Sequence, residues 1–328
     1  MNGKWQVKNA GPSLAIENKI AQLLEPDFEI EEFDPARPLA QQVDSAHVLL
    51  IRSAAITREV INAAPRLQLI QRPGVHIESV DFDHAGARRI PVCNVPAALT
   101  HGGEDVAEHV MFLALALAKR YREAAASLGA RRIGAPSTHV LRGKVFGLVG
   151  LGRTGRAVVD MARGFGMRVW AIKRTVSEDL RNAMGLEWLK TPDHLPELLR
   201  QSDFLSLHIP LNEQTKGMIG PFEIALMKPG AFLINVARGH VVDRSALMAA
   251  LREQRLAGVG LDVFWDEPID PKDPLLALPN VIATPHVANM TQETIETIAR
   301  VAAENIRRVK AGLPPMHQIP KSSDVAHL

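Results

Sequence analysis

The chain has 328 residues, 46% of them apolar, and its 38 basic and 36 acidic residues nearly balance. This composition excludes a disordered chain and is sufficient for a buried core divided between two domains. The basic residues are scattered, so nucleic acid is not an expected partner, and no apolar run approaches the length of a membrane-spanning helix. The single cysteine, Cys93, excludes an intramolecular disulfide, and the first residues lack the apolar core of a signal peptide. We therefore predict a cytoplasmic protein.

Short β-rich stretches alternate with helical patterns along the chain, which predicts parallel sheets joined by crossover helices. Several of the strands are apolar throughout, as expected for sheets that are covered on both faces. The eight predicted strands are residues 47–51, 67–71, 145–149, 168–172, 203–207, 231–235, 258–261 and 281–283.

Two helices stand out in the sequence. Residues 104–128 contain no glycine or proline and predict one long helix. Its middle is apolar on every side, so we expect it to be buried all round, in part against the second subunit of a homodimer. The last helix follows a possible N-cap, Thr291, and should end at Gly312, before two prolines.

A glycine motif lies between the predicted strand 145–149 and a helical stretch. Gly150, Gly152 and Gly155 have the G-x-G-x-x-G spacing, and a second strand follows the helix. In this context the backbone approaches a pyrophosphate at the helix N-terminus, so the motif, including Arg153 and Thr154, is the predicted cofactor phosphate site. The alternative is a structural glycine turn in another kind of α/β protein.

The second strand of this unit ends in Lys173, Arg174 and Thr175, where such folds usually place a carboxylate on the ribose 2′-hydroxyl. No acidic residue follows before Glu178. Two cations and a hydroxyl suit the 2′-phosphate of NADP(H), because arginine binds phosphate oxygens in a forked geometry and lysine adds a point charge. A solvated basic turn beside NAD(H) remains the alternative, since exposed charges are common.

Polar residues follow three later strands of the chain. Arg238 comes after strand 231–235, Asp262 and Glu267 after 258–261, and His286 after 281–283. Because the carboxyl ends of strands border the ligand crevice in an open α/β sheet, these side chains are expected to converge. Three of them also have a structural alternative: a helix cap or surface pair for the arginine, an ordinary loop carboxylate for the glutamate, and a satisfied structural histidine for His286.

Several stretches together resemble the D-2-hydroxyacid dehydrogenase family over nearly the whole chain. They are IQRPGVHIESVD, VAEH at residues 106–109, the glycine motif, INVARG, LDVF followed by EP, and TPH. The resemblance implies a flavodoxin-like substrate domain, a Rossmann dinucleotide-binding domain, and a catalytic triad of Arg238, Glu267 and His286. Glyoxylate and hydroxypyruvate reductases are the members closest in kind, and they often use NADP(H).

The residue types of this triad suit the reduction of a small 2-keto acid. Arg238 offers a permanent cation with forked donors for the substrate carboxylate and carbonyl oxygen. His286 can give a proton in reduction and take one in oxidation. Glu267, if it is hydrogen-bonded to the imidazole, orients the ring, and the nicotinamide carries the hydride.

The resemblance also implies contacts with the cofactor and the substrate. Asp262 is expected at the nicotinamide amide. The other expected cofactor contacts are His208, Pro210, Val236 and Ala237. The backbone of Gly74, Val75 and His76 is expected at the substrate carboxylate. His76 stands where the family often has a glycine, so the identity of the keto acid stays open.

The linker before VAEH is longer than is common in the family. It brings His101 and Glu104 close in sequence to Glu108 and His109, which superficially suggests a metal site. The spacing matches no known ligand set and the family needs no metal, so none is expected.

The glycine motif lies far from the first residue, which predicts a separate domain ahead of it. We predict two doubly wound parallel-sheet domains around a cleft. The substrate domain comprises residues 1–100 and 291–328, and the dinucleotide-binding domain comprises residues 101–290. Two alternatives stay open: a non-enzymatic, dinucleotide-sensing corepressor of the same fold, and a dehydrogenase that acts on formate or phosphite.

Overall fold

The computed structural model describes residues 4–11, 15–52, 54–75, 77 and 80–319. The chain divides into two compact α/β units. The first combines Met1–His101 with Thr291–Leu328, and the second is Gly102–Met290. Within the described residues, no helix is both long and apolar enough to cross a membrane.

The first unit contains a five-stranded parallel sheet. Its strands are β1 (Trp5–Ala10), β2 (Phe28–Glu31), β3 (Val48–Ile51), β4 (Leu69–Gln71) and β5 (Val92–Cys93). Its α-helices are α1 (Ala15–Leu24), α2 (Arg58–Ala63), α3 (Phe82–Ala87) and α12 (Gln292–Lys310). The strand order β2-β1-β3-β4-β5 is the flavodoxin-like doubly wound order.

The second unit contains a seven-stranded parallel sheet in the order β12-β11-β10-β9-β6-β7-β8. Its strands are β6 (Val145–Val149), β7 (Arg168–Ile172), β8 (Trp188–Lys190), β9 (Phe204–Leu207), β10 (Ala231–Asn235), β11 (Leu256–Leu261) and β12 (Val281–Ala283). Its α-helices are α4 (Gly102–Ala118), α5 (Tyr121–Gly129), α6 (Arg153–Gly164), α7 (Glu178–Ala183), α8 (Leu195–Gln201), α9 (Pro221–Leu226), α10 (Arg244–Arg252) and α11 (Pro274–Ala277). The order reverses between β6 and β9, and ligands bind at such a switch point in this class of sheet.

The central strands of the second unit are buried on both faces, which explains why they are apolar at almost every position. On one face, Phe204 stacks between Phe146 and Phe232, with ring centroids 6.0 and 4.7 Å apart. Helices α4 and α6 pack over this face. The packing fixes the positions of the strand ends that carry the predicted site.

The predicted architecture of two parallel-sheet α/β domains is confirmed. Strands β6, β7, β10 and β12 have the predicted bounds, and β3, β4, β9 and β11 differ from them by no more than two residues. Four strands were not predicted: β1, β2, β5 and β8. Gln6, Lys8 and Asn9 interrupt the apolar pattern of β1, and β5 has only two residues, too few to give a periodic signal.

The prediction of one continuous helix over residues 104–128 is wrong. The segment forms α4 and α5, and the chain turns between them at Arg120, which has the left-handed backbone angles φ 49° and ψ 50°. This conformation costs a residue with a side chain roughly 1–2 kcal/mol. The Arg120 side chain offsets part of the cost, since its Nε donates to Glu123 Oε1 at 2.8 Å and its guanidinium also contacts the Ser137 carbonyl oxygen. The turn therefore forms without glycine or proline, the two residues that signal helix ends.

The predicted start of the last helix is confirmed. The Thr291 hydroxyl accepts a hydrogen bond from the Thr294 N–H, and α12 ends just before Gly312. Helix α12 packs against α1, and the Asn305 side chain donates to Gln71 Oε1 at 2.8 Å. The C-terminal helix thus completes the core of the first unit.

Candidate active site

The glycine motif forms a tight turn between β6 and α6. Gly150 has φ +101°, and a Cβ there would lie 2.5 Å from the His208 carbonyl oxygen. Helix α6 begins at Arg153 after Gly152, and no side chain caps its first turn. Nothing lies within 4 Å of the position that a Cβ on Gly152 would take. A helix N-terminus beside open space fits the pyrophosphate of a dinucleotide.

The remaining residues of the motif belong to α6. Gly155 lies close to the turn, since a Cβ there would approach the Gly150 carbonyl oxygen at 2.5 Å. The side chain of Arg153 extends to α4, where its Nη2 donates to Glu104 Oε2 at 3.1 Å. The side chain of Arg153 is therefore held by the segment that the sequence marks as an extended linker.

The basic residues after β7 lie beside the glycine turn. The Gly150 N–H donates to the Ile172 carbonyl oxygen at 3.1 Å, so Lys173 follows directly from a residue bonded to the turn. Lys173 is half-buried, and Arg174 and Thr175 are exposed. Neither cation forms an ion pair within the described part of the chain. Glu178, the first carboxylate after the strand, pairs instead with Arg181 at 2.8 Å.

His208 and Pro210 follow β9, the neighbour of β6. The His208 N–H donates to the Val149 carbonyl oxygen at 2.8 Å, which holds the residue against the glycine turn. Burial of the imidazole lowers the pKa of His208 to about 4, so the ring is neutral at physiological pH. Its Nε2 is buried, and among the described residues it has no hydrogen-bond partner. An orphaned ring nitrogen at the strand switch point fits a site for a polar ligand.

The predicted triad occupies the carboxyl ends of three adjacent strands. The Asp262 N–H donates to the Asn235 carbonyl oxygen at 3.1 Å, and the Thr284 N–H donates to the Leu261 carbonyl oxygen at 2.9 Å. These bonds hold the ends of β10, β11 and β12 in register. The loops that carry Arg238, Glu267 and His286 therefore leave the same edge of the sheet.

Glu267 and His286 are in direct contact. Glu267 Oε2 lies 2.7 Å from His286 Nδ1, and Glu267 Oε1 accepts a hydrogen bond from the Phe264 N–H at 3.0 Å. The imidazole is 46% exposed, so a substrate can reach it. His286 has φ +55°, a left-handed conformation that turns the chain sharply after Pro285. With Nδ1 occupied by the carboxylate, Nε2 is the nitrogen that remains for a reactant.

Arg238 stands apart from this contact, on the loop after β10. Its Nη1 donates to the Ala237 carbonyl oxygen at 2.7 Å. The buried Asn235 side chain fixes the loop, because its Nδ2 donates to the Arg238 carbonyl oxygen and its Oδ1 accepts from the Ala237 N–H. A Cβ on Gly239 would lie 2.1 Å from the Phe264 carbonyl carbon, so the loop approaches the segment before Glu267 closely. Asn235 and Gly239 thus hold the loop that carries Arg238. Neither was predicted as a site residue, although both belong to the INVARG stretch.

Asp262 is fully buried at the end of β11 and makes several hydrogen bonds. Its carboxylate accepts from the Thr284 hydroxyl at 2.6 Å and from the N–H groups of Val287 and Ala288, both at 2.9 Å. His109 joins the same network, since its Nε2 lies 2.8 Å from Thr284 Oγ1. The contact between His109 and Thr284 was also not predicted, because the two residues are 175 positions apart in the sequence.

The expected substrate contacts from the first unit lie after β4. The Gly74 carbonyl oxygen accepts from the Val95 N–H at 3.0 Å, and the Val75 carbonyl oxygen accepts from the Asn94 side chain at 2.7 Å. His76 lies outside the described residues. In the described part of the chain, no group of three or more His, Cys, Asp or Glu is arranged to hold a metal ion.

The chain is similar to known dehydrogenases over most of its length. Residues 111–288 match the family described as D-isomer specific 2-hydroxyacid dehydrogenase, NAD binding domain. A glyoxylate reductase of Korarchaeum cryptofilum is 38% identical over 307 residues, which cover 91% of this chain and 90% of that protein.

Two solved structures are similar to this chain in fold over nearly its whole length. An NADPH-dependent glyoxylate/hydroxypyruvate reductase from Sinorhizobium meliloti, in complex with NADP and malonate, matches with a TM-score of 0.76 and 28% identity over 97% of each chain. A D-lactate dehydrogenase from Aquifex aeolicus, complexed with NAD and lactic acid, matches with a TM-score of 0.75 and 28% identity, covering 94% of this chain and 96% of that one.

Proposed function

Because the chain belongs to the D-isomer specific 2-hydroxyacid dehydrogenase family, we propose that it reduces a small 2-keto acid, such as glyoxylate or hydroxypyruvate, with NADPH. It is an oxidoreductase that uses a nicotinamide dinucleotide. The contact between Glu267 Oε2 and His286 Nδ1 carries the proposal, because it leaves the imidazole Nε2 to deliver a proton. We propose that Gly102–Met290 binds the dinucleotide. The backbone of Gly74 and Val75, in the other unit, would bind the carboxylate of the substrate.

The bound nicotinamide supplies the hydride that reduces the keto carbon. Arg238 holds the substrate carboxylate with its guanidinium and polarises the carbonyl oxygen, which gathers negative charge during reduction. His286 protonates that oxygen from Nε2, and Glu267 keeps the ring in place and stabilises the imidazolium. In the reverse direction the neutral imidazole accepts the hydroxyl proton. Each proposed role needs only the side chain named for it.

A substrate matrix tests the proposed reaction. Purified protein is mixed with NADPH or NADH and with glyoxylate, hydroxypyruvate, pyruvate or a bulkier keto acid, and oxidation of the dinucleotide is followed by absorbance. We expect turnover with a small keto acid and formation of the D-2-hydroxy acid. No turnover across the matrix would favour a dinucleotide-binding corepressor, whereas turnover of formate or phosphite with NAD(P)⁺ would assign a different dehydrogenase.

The preference for NADPH is proposed from Lys173 and Arg174. Among the described residues, neither cation forms an ion pair, so both can attract a phosphate monoester beside the glycine turn. Glu178, the first carboxylate after the strand in sequence, pairs with Arg181 instead. Replacing Lys173 and Arg174 together by serine should raise KM for NADPH by about 10²-fold, because each charge-assisted hydrogen bond contributes about a factor of ten. KM for NADH should change little.

The cofactor experiment compares the two dinucleotides at constant ionic strength, since exposed charges are screened by salt. Lys190→Ser removes a cation from the end of the neighbouring strand β8 and serves as the matched control. Equal changes in KM for NADPH and NADH in the double variant would rule out recognition of a 2′-phosphate by this basic pair.

We also propose that the protein is a homodimer formed through α4, α5 and α6. An open groove of about 560 Å³ on the second unit is lined by apolar side chains that include Met111, Phe112, Leu115, Met161 and Phe165. Large exposed apolar side chains continue along the following segment, at Tyr121, Leu128, Ile133 and Val140. A second copy of this surface would cover them. Light scattering should therefore give the mass of two 35.9 kDa chains, and Phe112→Glu should give that of one.

A further inference from the structure

We propose that His109 is a positioning residue for His286 and acts on it through Thr284 and Asp262. The inference concerns the proton donor of the proposed reaction and rests on the proposed function. His109 lies on α4, whereas Thr284 and His286 follow β12, so the link joins a helix to the edge of the sheet. No hydrogen bond connects His109 to His286 directly within the described residues.

The link consists of consecutive hydrogen bonds with fixed donors. The Thr284 hydroxyl donates to Asp262 Oδ1 at 2.6 Å, so its oxygen is free to accept from His109 Nε2, 2.8 Å away. The same Nε2 lies 3.5 Å from Asp262 Oδ1. The imidazole therefore carries its proton on Nε2 and points it at the junction of the hydroxyl and the carboxylate.

The ring of His109 provides this donor without adding a charge. Burial lowers the pKa of His109, and the opposing effect of the nearby Asp262 carboxylate only partly compensates. Phe112 packs beside the ring, with centroids 5.4 Å apart. A neutral donor leaves the negative charge of Asp262 available for its other partners.

The residues bound to the Asp262 carboxylate flank His286 on both sides in the sequence. Thr284 precedes His286 by two residues, and the Asp262 carboxylate binds the N–H groups of Val287 and Ala288 immediately after it. The His286 N–H also donates back to the Thr284 carbonyl oxygen at 3.0 Å. These bonds hold the left-handed backbone of His286 (φ +55°), which in turn aims its Nδ1 at Glu267. Loss of the His109 donor should therefore loosen the turn and misplace the imidazole.

Hydrogen–deuterium exchange tests this link without relying on catalysis. His109→Leu and Thr284→Val remove the bond, whereas His109→Gln and Thr284→Ser keep a donor and a hydroxyl at the same places. We expect the amides of Val287 and Ala288 to exchange about tenfold faster or more in the first pair and near the wild-type rate in the second. Amides of β6 report the global fold, and His194→Leu, at a half-buried position of the same unit that makes no bond to Thr284 or Asp262, is the control.

Steady-state kinetics with the preferred keto acid and saturating dinucleotide provide the second measurement. His109→Leu should lower kcat about tenfold with little change in KM for the dinucleotide, and His109→Gln should recover most of the loss. A purely structural histidine would lower thermal stability and leave kcat unchanged. Thr284→Val removes the same bond if His109→Leu does not fold.

The inference is overturned if exchange at Val287 and Ala288 stays at the wild-type rate in both disrupting variants, or if glutamine is as harmful as leucine. If the wild-type protein reduces no keto acid, the proposed function fails while the exchange measurement still decides whether His109 holds the turn. The two failures are therefore distinguishable.

Discussion

Replacing His286 by asparagine should lower kcat for keto-acid reduction by about 10²- to 10⁴-fold, the usual contribution of a positioned proton donor. Asparagine can still occupy the place of Nδ1 beside Glu267, but it offers no acid at the position of Nε2. KM for the dinucleotide should be almost unchanged, because the glycine turn lies on other strands. Stopped-flow absorbance at saturating substrate measures the loss, and a fall of less than tenfold would remove His286 from the proton transfer.

The same role has a defined pH dependence. Reduction should slow as pH rises, because the imidazolium that donates the proton is lost, and oxidation of the D-2-hydroxy acid should speed up over the same interval. His208, with a pKa of about 4, and His109, whose pKa is also lowered by burial, lose their charge at lower pH than an unperturbed imidazole. The asparagine variant should show a flat profile.

Glu267→Gln separates orientation of the ring from proton transfer. Glutamine keeps a similar shape but loses the negative charge next to Nδ1. Because a hydrogen bond to a charged group contributes about 1.5–3 kcal/mol, kcat should fall by about 10- to 10²-fold. A loss as large as that of the asparagine variant would instead indicate that the glutamate itself takes part in the chemistry.

Replacing Arg238 by glutamine should lower kcat/KM for the keto acid by about 10²- to 10³-fold, the effect of removing a donor aimed at developing negative charge. The loss arises because glutamine offers neither a charge nor a fork for the substrate carboxylate. Arg238→Lys should recover only part of it, since a point charge cannot make the paired contact. Initial rates at substrate concentrations well below KM measure the quantity directly.

A nearby arginine provides the matched control. Arg244 pairs with Asp273 at 2.6 Å and is largely exposed at the start of α10. Arg244→Gln should change kcat/KM by no more than about twofold, because the guanidinium that it removes is bound to Asp273 and has no proposed contact with the substrate. Equal losses in the two variants would show that the effect reports general electrostatics and not a contact with the substrate.

The part of the fold that the sequence predicts well is the part that is buried on both faces. Strands such as β6 and β10 are almost continuous apolar runs, so their bounds can be read from the sequence pattern. Strand β1 has polar residues along its length, and its pairing with β2 and β3 depends on the tertiary fold. Family membership, also predicted from the order of the motifs, is confirmed by the match over residues 111–288.

The candidate site shows the same division between local and distant information. Each predicted triad residue lies in the segment after a strand that can be predicted from the sequence. Because these strands are parallel, the three segments leave the same edge of the sheet. The hydrogen bond from His109 to Thr284 leaves no local pattern, because it depends on how α4 crosses the sheet. The turn at Arg120 was likewise hidden, since an ion pair with Glu123 replaces the glycine that usually marks such a break.

The position of α12 in the chain affects how the protein is made on the ribosome. The first unit is interrupted by residues 102–290. Its last helix packs against α1, and Lys310 Nζ donates to the Asp27 carbonyl oxygen in the turn after α1. Nascent domains generally fold as units when all their residues have emerged. Gly102–Met290 can therefore fold during translation, whereas the part of the first unit that precedes Gly102 must wait until α12 has left the exit tunnel. Although it is synthesised first, the N-terminal sheet is the later of the two to acquire its complete core.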